Sequence, residues 1–119
     1  MVPRASELSV LDVSILAALR ALAVPGEPDV LTEVARLFFV DVPIQLSALQ
    51  RAIAAADLEL ARQVAHQLRG SALIVGAVRM TSMCQAIEQA ESLEQVAAQT
   101  HSLDQEFVLV RRELEQAIQ

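Results

Sequence analysis

The sequence predicts an all-α protein, an antiparallel four-helix bundle with an N-terminal capping helix, and three observations predict it. The chain of 119 residues is 54% hydrophobic yet holds three Phe and neither Trp nor Tyr. Its core must therefore be Leu, Val, Ile and Ala, which suits helices packed at close range. The apolar residues recur at helical spacing over long series, and the gaps between series are short and rich in turn or cap residues, which makes successive helices antiparallel neighbours. The length suits one domain with a real core, assigned to residues 9–119. Residues 1–8, which include Val2-Pro3-Arg4 and no periodicity, are expected to be a flexible lead-in.

The elements follow in order. Ser9, with Asp12 three residues on, resembles a capping arrangement, and Leu11, Ile15, Leu16, Leu19 and Leu22 then give a first helix ending near Ala23. Pro25-Gly26-Glu27-Pro28 is a turn, with Pro28 expected at the first position of the next helix. From Asp29, the series Val30, Val34, Leu37, Phe38, Val42, Leu46, Leu49 and Ile53 keeps one face. Pro43 interrupts that face by removing a hydrogen bond and crowding the carbonyl of Phe39, so a kink or break is expected near Phe39 to Pro43, with Asp41 available as a cap. Of Phe38 and Phe39, one must point away from the core, either packing against the first helix or meeting a partner.

Asp57 is the natural N-cap of a third helix after Ala54-Ala55-Ala56, and Gly76 is a left-handed stop at its end. A fourth helix over Val78 to Ala90 carries Val78, Thr81, Cys84 and Ile87 as its core stripe, with Met80 and Met83 as flanking filler. Cys84 reads as a small buried hydrophobe without chemistry. Ser92 and Gln95 form a capping box for a last helix, whose Leu93, Val96, Leu103, Phe107, Val110, Leu114 and Ile118 make one buried face. His101, with Asp104, Gln105 and Glu106 around it, reads as solvated.

Charge and cysteine usage narrow the function. A net charge of -6 argues against nucleic acid and anionic membrane as main partners. No acid lies between Leu60 and Ile87, while Arg62, Arg69 and Arg79 do, so a basic island that would steer an acidic partner is expected there. The single Cys84 permits neither an intramolecular disulfide nor a zinc site and points to a reducing compartment. Neither a signal peptide nor an apolar run of membrane-spanning length is apparent, so a cytoplasmic domain is expected.

One stretch is committed to chemistry. On the third helix, Leu60, Val64, Leu68 and Val75 share one side, with small Ala61, Ser71 and Ala72 beside them, and His66 falls on the other. One turn from it stand Arg62 and Gln63 behind, Arg69 and Gly70 ahead. A solvent-facing histidine is ordinarily just solvated. Gly70, however, costs about 1 kcal/mol relative to alanine in mid-helix and lies where no core packing explains it. A clearance beside the imidazole does, since another protein's backbone or a bulky acyl phosphate could then approach along the helix.

Ala65-His66-Gln67-Leu68-Arg69-Gly70-Ser71-Ala72, followed by Gly76-Ala77 and by Cys84, Ile87 and Glu88, resembles the motif of the histidine phosphotransfer (HPt) domain of bacterial multistep phosphorelays. The resemblance is best over Val30 to Glu91. It implies that His66 is the phosphoryl acceptor, Arg69 the cation beside the phosphate and Gly70 the clearance position. Arg62 is a second anion-binding candidate, and Gln63 or Gln67 would orient the imidazole. Arg69 replaces the usual lysine, Ala72 a common serine, and Ile74 a small or polar residue.

The resemblance further implies response-regulator receiver domains as partners, with Mg²⁺ supplied by the receiver and no cofactor or metal held by this chain. The domain is expected to act as a monomer, whether free-standing or as the C-terminal part of a hybrid sensor kinase tethered to the inner membrane. No Gly-rich lysine loop for ATP is present. Two other readings stay open: a substrate module phosphorylated directly by an ATP-dependent histidine kinase, and a helical adaptor that never carries phosphate.

Overall fold

The structure, a computed structural model, describes residues 9–119, and the expected lead-in lies outside them. Five helices follow one another: α1 (Val13–Ala21), α2 (Val30–Ala54), α3 (Leu58–Ile74), α4 (Val78–Glu88) and α5 (Leu93–Ala117). Each of α2 to α5 packs on the next and α5 returns to α2, closing the four-helix bundle, while α1 leans on α2 at one end.

Asp12, not Ser9, caps α1. Its carboxylate accepts from the Ser14 amide at 2.9 Å and the Ser14 hydroxyl at 2.6 Å. An anionic acceptor at the helix N-terminus also meets the helix dipole, which a serine further upstream does not. The hydroxyl bond, then the amide bond, hold this carboxyl below its ordinary range. The helix ends two residues before the expected Ala23. Two bonds tie α1 down, from the Asp12 amide to the Gly76 carbonyl at 2.8 Å and from Arg20 Nη2 to the Ala117 carbonyl at 2.9 Å.

Asp29 caps α2, accepting from the Thr32 amide and hydroxyl, so Pro28 stands before the cap rather than inside the helix. The break expected at Pro43 does not occur. α2 runs unbroken through it, and Asp41 is an exposed mid-helix residue that caps nothing. Proline in a helix interior costs about 3 kcal/mol, whereas burying Phe38, Val42 and Leu46 on either side of it returns about 1.5–3 kcal/mol for each side chain. Packing therefore outweighs the lost bond.

The buried stripe of α2 is Leu31, Ala35, Phe38, Val42, Leu46, Leu49 and Ala52. Leu37, expected in the core, is 63% exposed, and Ala35 and Ala52 are buried in the stripe instead. Phe38 is buried against Phe107, with ring centroids 5.6 Å apart. Phe39 is the outward ring, but α5 covers it rather than α1: it meets Phe38 edge-on, and the Arg111 guanidinium sits 5.3 Å from its centroid. Among the described residues, α2 alone is long and apolar enough to cross a membrane. Here its buried stripe is the bundle core, and its outer side carries Arg36 and Asp41.

Asp57 caps α3 through the Leu60 amide at 3.0 Å, as the sequence predicts. On α3, Ala61, Val64, Ala65, Leu68 and Ala72 are buried, and Leu60 is left 41% exposed. Gly76 adopts φ +73° and lets the Ala77 amide reach back to the Ala72 carbonyl at 2.9 Å. The core stripe of α4 is Met80, Cys84 and Ile87, with Val78 and Thr81 only half-buried. Methionine bends into a gap that β-branched neighbours leave. Ser92 caps α5, although Gln95 reaches the Glu91 amide instead of the cap residue's own.

One buried residue on α5 contradicts the expected polar side. Glu106, grouped by sequence with the solvated surroundings of His101, is 2% exposed and accepts from Arg79 Nη2 at 2.6 Å. Cys84 is fully buried, and burial, then the nearby Glu88 carboxylate, push its thiol up to about 12. Since the thiolate is the reactive species, a maleimide at pH 8 should leave the native chain unlabelled and label Cys84 stoichiometrically in denaturant, measured by intact mass.

Candidate functional site

The Gly76-Ala77 turn folds α4 back along α3, so residues equidistant from it face one another. His66 and Glu88 are each eleven residues from Ala77, and they meet. Buried Ala65 and Leu68 fix the α3 face that turns inward, which leaves the His66 side chain 69% exposed on the bundle wall. Its Nδ1 points along the surface at two charged neighbours, Arg69 Nη2 at 3.2 Å and Glu88 Oε1 at 3.4 Å. Arg69 Nε pairs with the same Glu88 oxygen at 2.8 Å, so the guanidinium bridges the ring and the carboxylate.

The remaining candidates divide. Gly70 is exposed, and a Cβ built on it would meet nothing within 4 Å. Nothing inside the chain requires glycine there. Gly70→Ala should raise the melting temperature, since alanine is favoured by about 1 kcal/mol in mid-helix. The same substitution should slow phosphoryl transfer from a receiver at least about tenfold, one 1.4 kcal/mol step in the barrier, if a partner needs the clearance. Thermal melts and transfer kinetics on one preparation test both.

Arg62 donates through Nε and Nη2 to the Ala90 carbonyl and lies 3.9 Å from Glu59, so it ties α3 to the end of α4 rather than presenting a free charge. Gln63 and Gln67 line the shallow groove beside the imidazole with Glu59, Arg62 and Glu88. Neither bonds to the ring. The orienting contact expected of them belongs to Arg69 and Glu88.

The basic island is also offset in three dimensions, because Arg69 faces Glu88, Arg79 is paired with buried Glu106, and Arg62 lies 3.9 Å from Glu59. The acid-free stretch ends at Ile87, one residue short of the acid that folds onto the site. Among the described residues, no three His, Cys, Asp or Glu side chains converge on one point.

α2 and α3 also form a largely apolar groove lined by Val34, Leu37, Phe38, Ser71, Ile74 and Val75, with Asp41 as its one charged residue. Leu37 and Ile74, both more than half exposed, stand at its lip.

The helical bundle that carries this site is what known proteins share with this chain. The family model for the Hpt domain matches residues 33–119. The histidine-containing phosphotransfer protein B of Pseudomonas aeruginosa PAO1 superposes with a TM-score of 0.81 at 27% identity, over 90% of this chain and 92% of that one. The histidine-containing phosphotransfer protein MtHPt2 of Medicago truncatula gives 0.80 at 28% identity, over 92% and 77%. No curated protein matches significantly. Family model and fold agree: the chain belongs to the Hpt domain family, which carries phosphoryl groups through a histidine in phosphorelays.

Proposed function

We propose that His66 is the phosphoryl acceptor and that the domain shuttles the group between the aspartates of receiver domains. The observation that carries this reading is the pairing of an exposed imidazole with clear space over Gly70. A receiver can set its phosphoaspartate against the ring in line, and the nearby apolar groove offers its body a dry contact at Leu37 and Ile74. Nε2 attacks the phosphorus, the bond to the aspartyl oxygen breaks, and the carboxylate leaves with the electron pair. Mg²⁺, which lowers the barrier by neutralising developing charge, comes with the receiver. Arg69 neutralises charge on the arriving group. The domain works as a monomer, its buried stripes being used within one chain.

The test is transfer from a panel of phosphorylated receivers to the native chain, followed by return of label to an unphosphorylated receiver. Labelling that is acid-labile, base-stable and reversible supports the shuttle. Labelling only by a kinase with ATP would favour the substrate-module reading, and no labelling by either would favour the adaptor.

A further inference from the structure

The two neighbours of His66 Nδ1 make opposite demands on it. A guanidinium only donates, so Arg69 Nη2, 3.2 Å away, requires an Nδ1 lone pair and places the ring proton on Nε2. A carboxylate only accepts, so Glu88 Oε1, 3.4 Å from the same nitrogen, requires Nδ1–H and leaves the Nε2 lone pair facing solvent. Both cannot be met at once. Arg69 is the nearer and satisfies hydrogen-bond geometry at Nδ1, while Glu88 Oε1 is engaged by Arg69 Nε at 2.8 Å, so the one guanidinium occupies both partners at rest.

We infer that Arg69 is a tautomer lock: at rest it holds His66 in the Nε2–H form, which cannot attack through Nε2, and it releases the ring to Glu88 when it turns to an arriving phosphoryl group. This rests on His66 being the acceptor. The Arg69 side chain is half-buried, 30% exposed, and the oxygens of a phosphoryl group offer its guanidinium charged acceptors stronger than a neutral ring nitrogen.

Once Arg69 turns away, the proton leaves Nε2 to water and a proton returns at Nδ1, where Glu88 Oε1 accepts the hydrogen bond. Attack by Nε2 then gives a phosphoimidazolium whose positive ring faces the Glu88 carboxylate, and the aspartate leaves as carboxylate. Arg69 and Glu88 are thus positioning residues, and they couple nucleophilicity to the presence of the group to be accepted. A lysine at position 69 is a single point of charge and cannot touch His66 and Glu88 with separate nitrogens as Arg69 does.

The experiment is the ¹⁵N–¹H two-bond correlation spectrum of the imidazoles at pH 9, above the ordinary imidazole range. The exposed His101 in the same spectrum serves as reference. The native chain should show a larger Nε2–H fraction at His66 than at His101. Arg69→Gln should move His66 to predominantly Nδ1–H, and Arg69→Lys should bring it back toward the His101 value. Adding Glu88→Ala to Arg69→Gln should make the two histidines alike.

Predominant Nδ1–H in the native chain, or a tautomer ratio unmoved by Arg69→Gln, overturns the lock. These spectra need no phosphoryl donor. A chain that shows the expected tautomers yet takes label from no receiver and no kinase would refute the shuttle while leaving only the tautomer assignment in place.

Discussion

Replacing His66 with glutamine should abolish phosphoryl uptake, by at least about three orders of magnitude, because no other described group at the site offers an unprotonated nitrogen to the phosphorus. Glutamine keeps a polar side chain of similar reach, and the position is mostly exposed, so stability should change by less than about 0.5 kcal/mol. That separation is what makes the result informative. His101→Gln is the matched control, since His101 is exposed on α5 away from the α3–α4 face, and it should take label at the native rate. Radiolabel transfer measured beside thermal melts reads both quantities. A His66→Gln chain that still accepts an acid-labile phosphoryl group would remove the residue from the mechanism.

The largest effect on stability among the glycines should come from Gly76→Ala. The residue sits at φ +73°, where alanine costs about 1–2 kcal/mol. The new Cβ would also lie 3.0 Å from Ile15 Cβ and 3.3 Å from the Asp12 carbonyl. Neither neighbour is the far end of a flexible chain, so α1 must shift, at a further cost of about 1–3 kcal/mol. We expect a loss of about 2–5 kcal/mol and a melting temperature lower by roughly 10 °C or more.

Two internal comparisons isolate the contact term. Gly26 has φ +85°, and a Cβ added there would meet nothing within 4 Å, so Gly26→Ala should lose only the conformational part. Ala56 already occupies φ 55° at the corresponding turn between α2 and α3, which shows that an exposed alanine is tolerated there. Equal losses for Gly26→Ala and Gly76→Ala would mean that α1 does not press on the α3–α4 turn.

Local chemistry was legible in the sequence where one residue decides the outcome. Asp57, Gly76 and Ser92 each satisfy a helix end with their own atoms, and His66 and Gly70 are placed by period alone. What failed to show depends on residues far apart in the chain. Glu106 looks solvated among polar neighbours until Arg79, 27 positions earlier, comes to lie against it. Leu37 and Leu60 fit the apolar period but fall beside the seam, where the small Ala35 and Ala61 take the fully buried positions instead.

Pro43 carries a strong local penalty that burial on both sides overrides. Glu88 was the nearest miss. Counting outward from the Gly76-Ala77 turn would have set it opposite His66, whereas counting charges along the chain left it just outside the window.

The pairing of Arg62, Arg69 and Arg79 within the chain has a consequence for recognition in a crowded cell. A cluster of bare cations would reach out through a Debye length of about 10 Å and gather acidic domains of every kind. Compensated as they are, these arginines present short-range dipoles instead of a field, and the histidine face stays quiet until surfaces touch. For the proposed shuttle, selection among receivers then falls to shape and to apolar fit at contact.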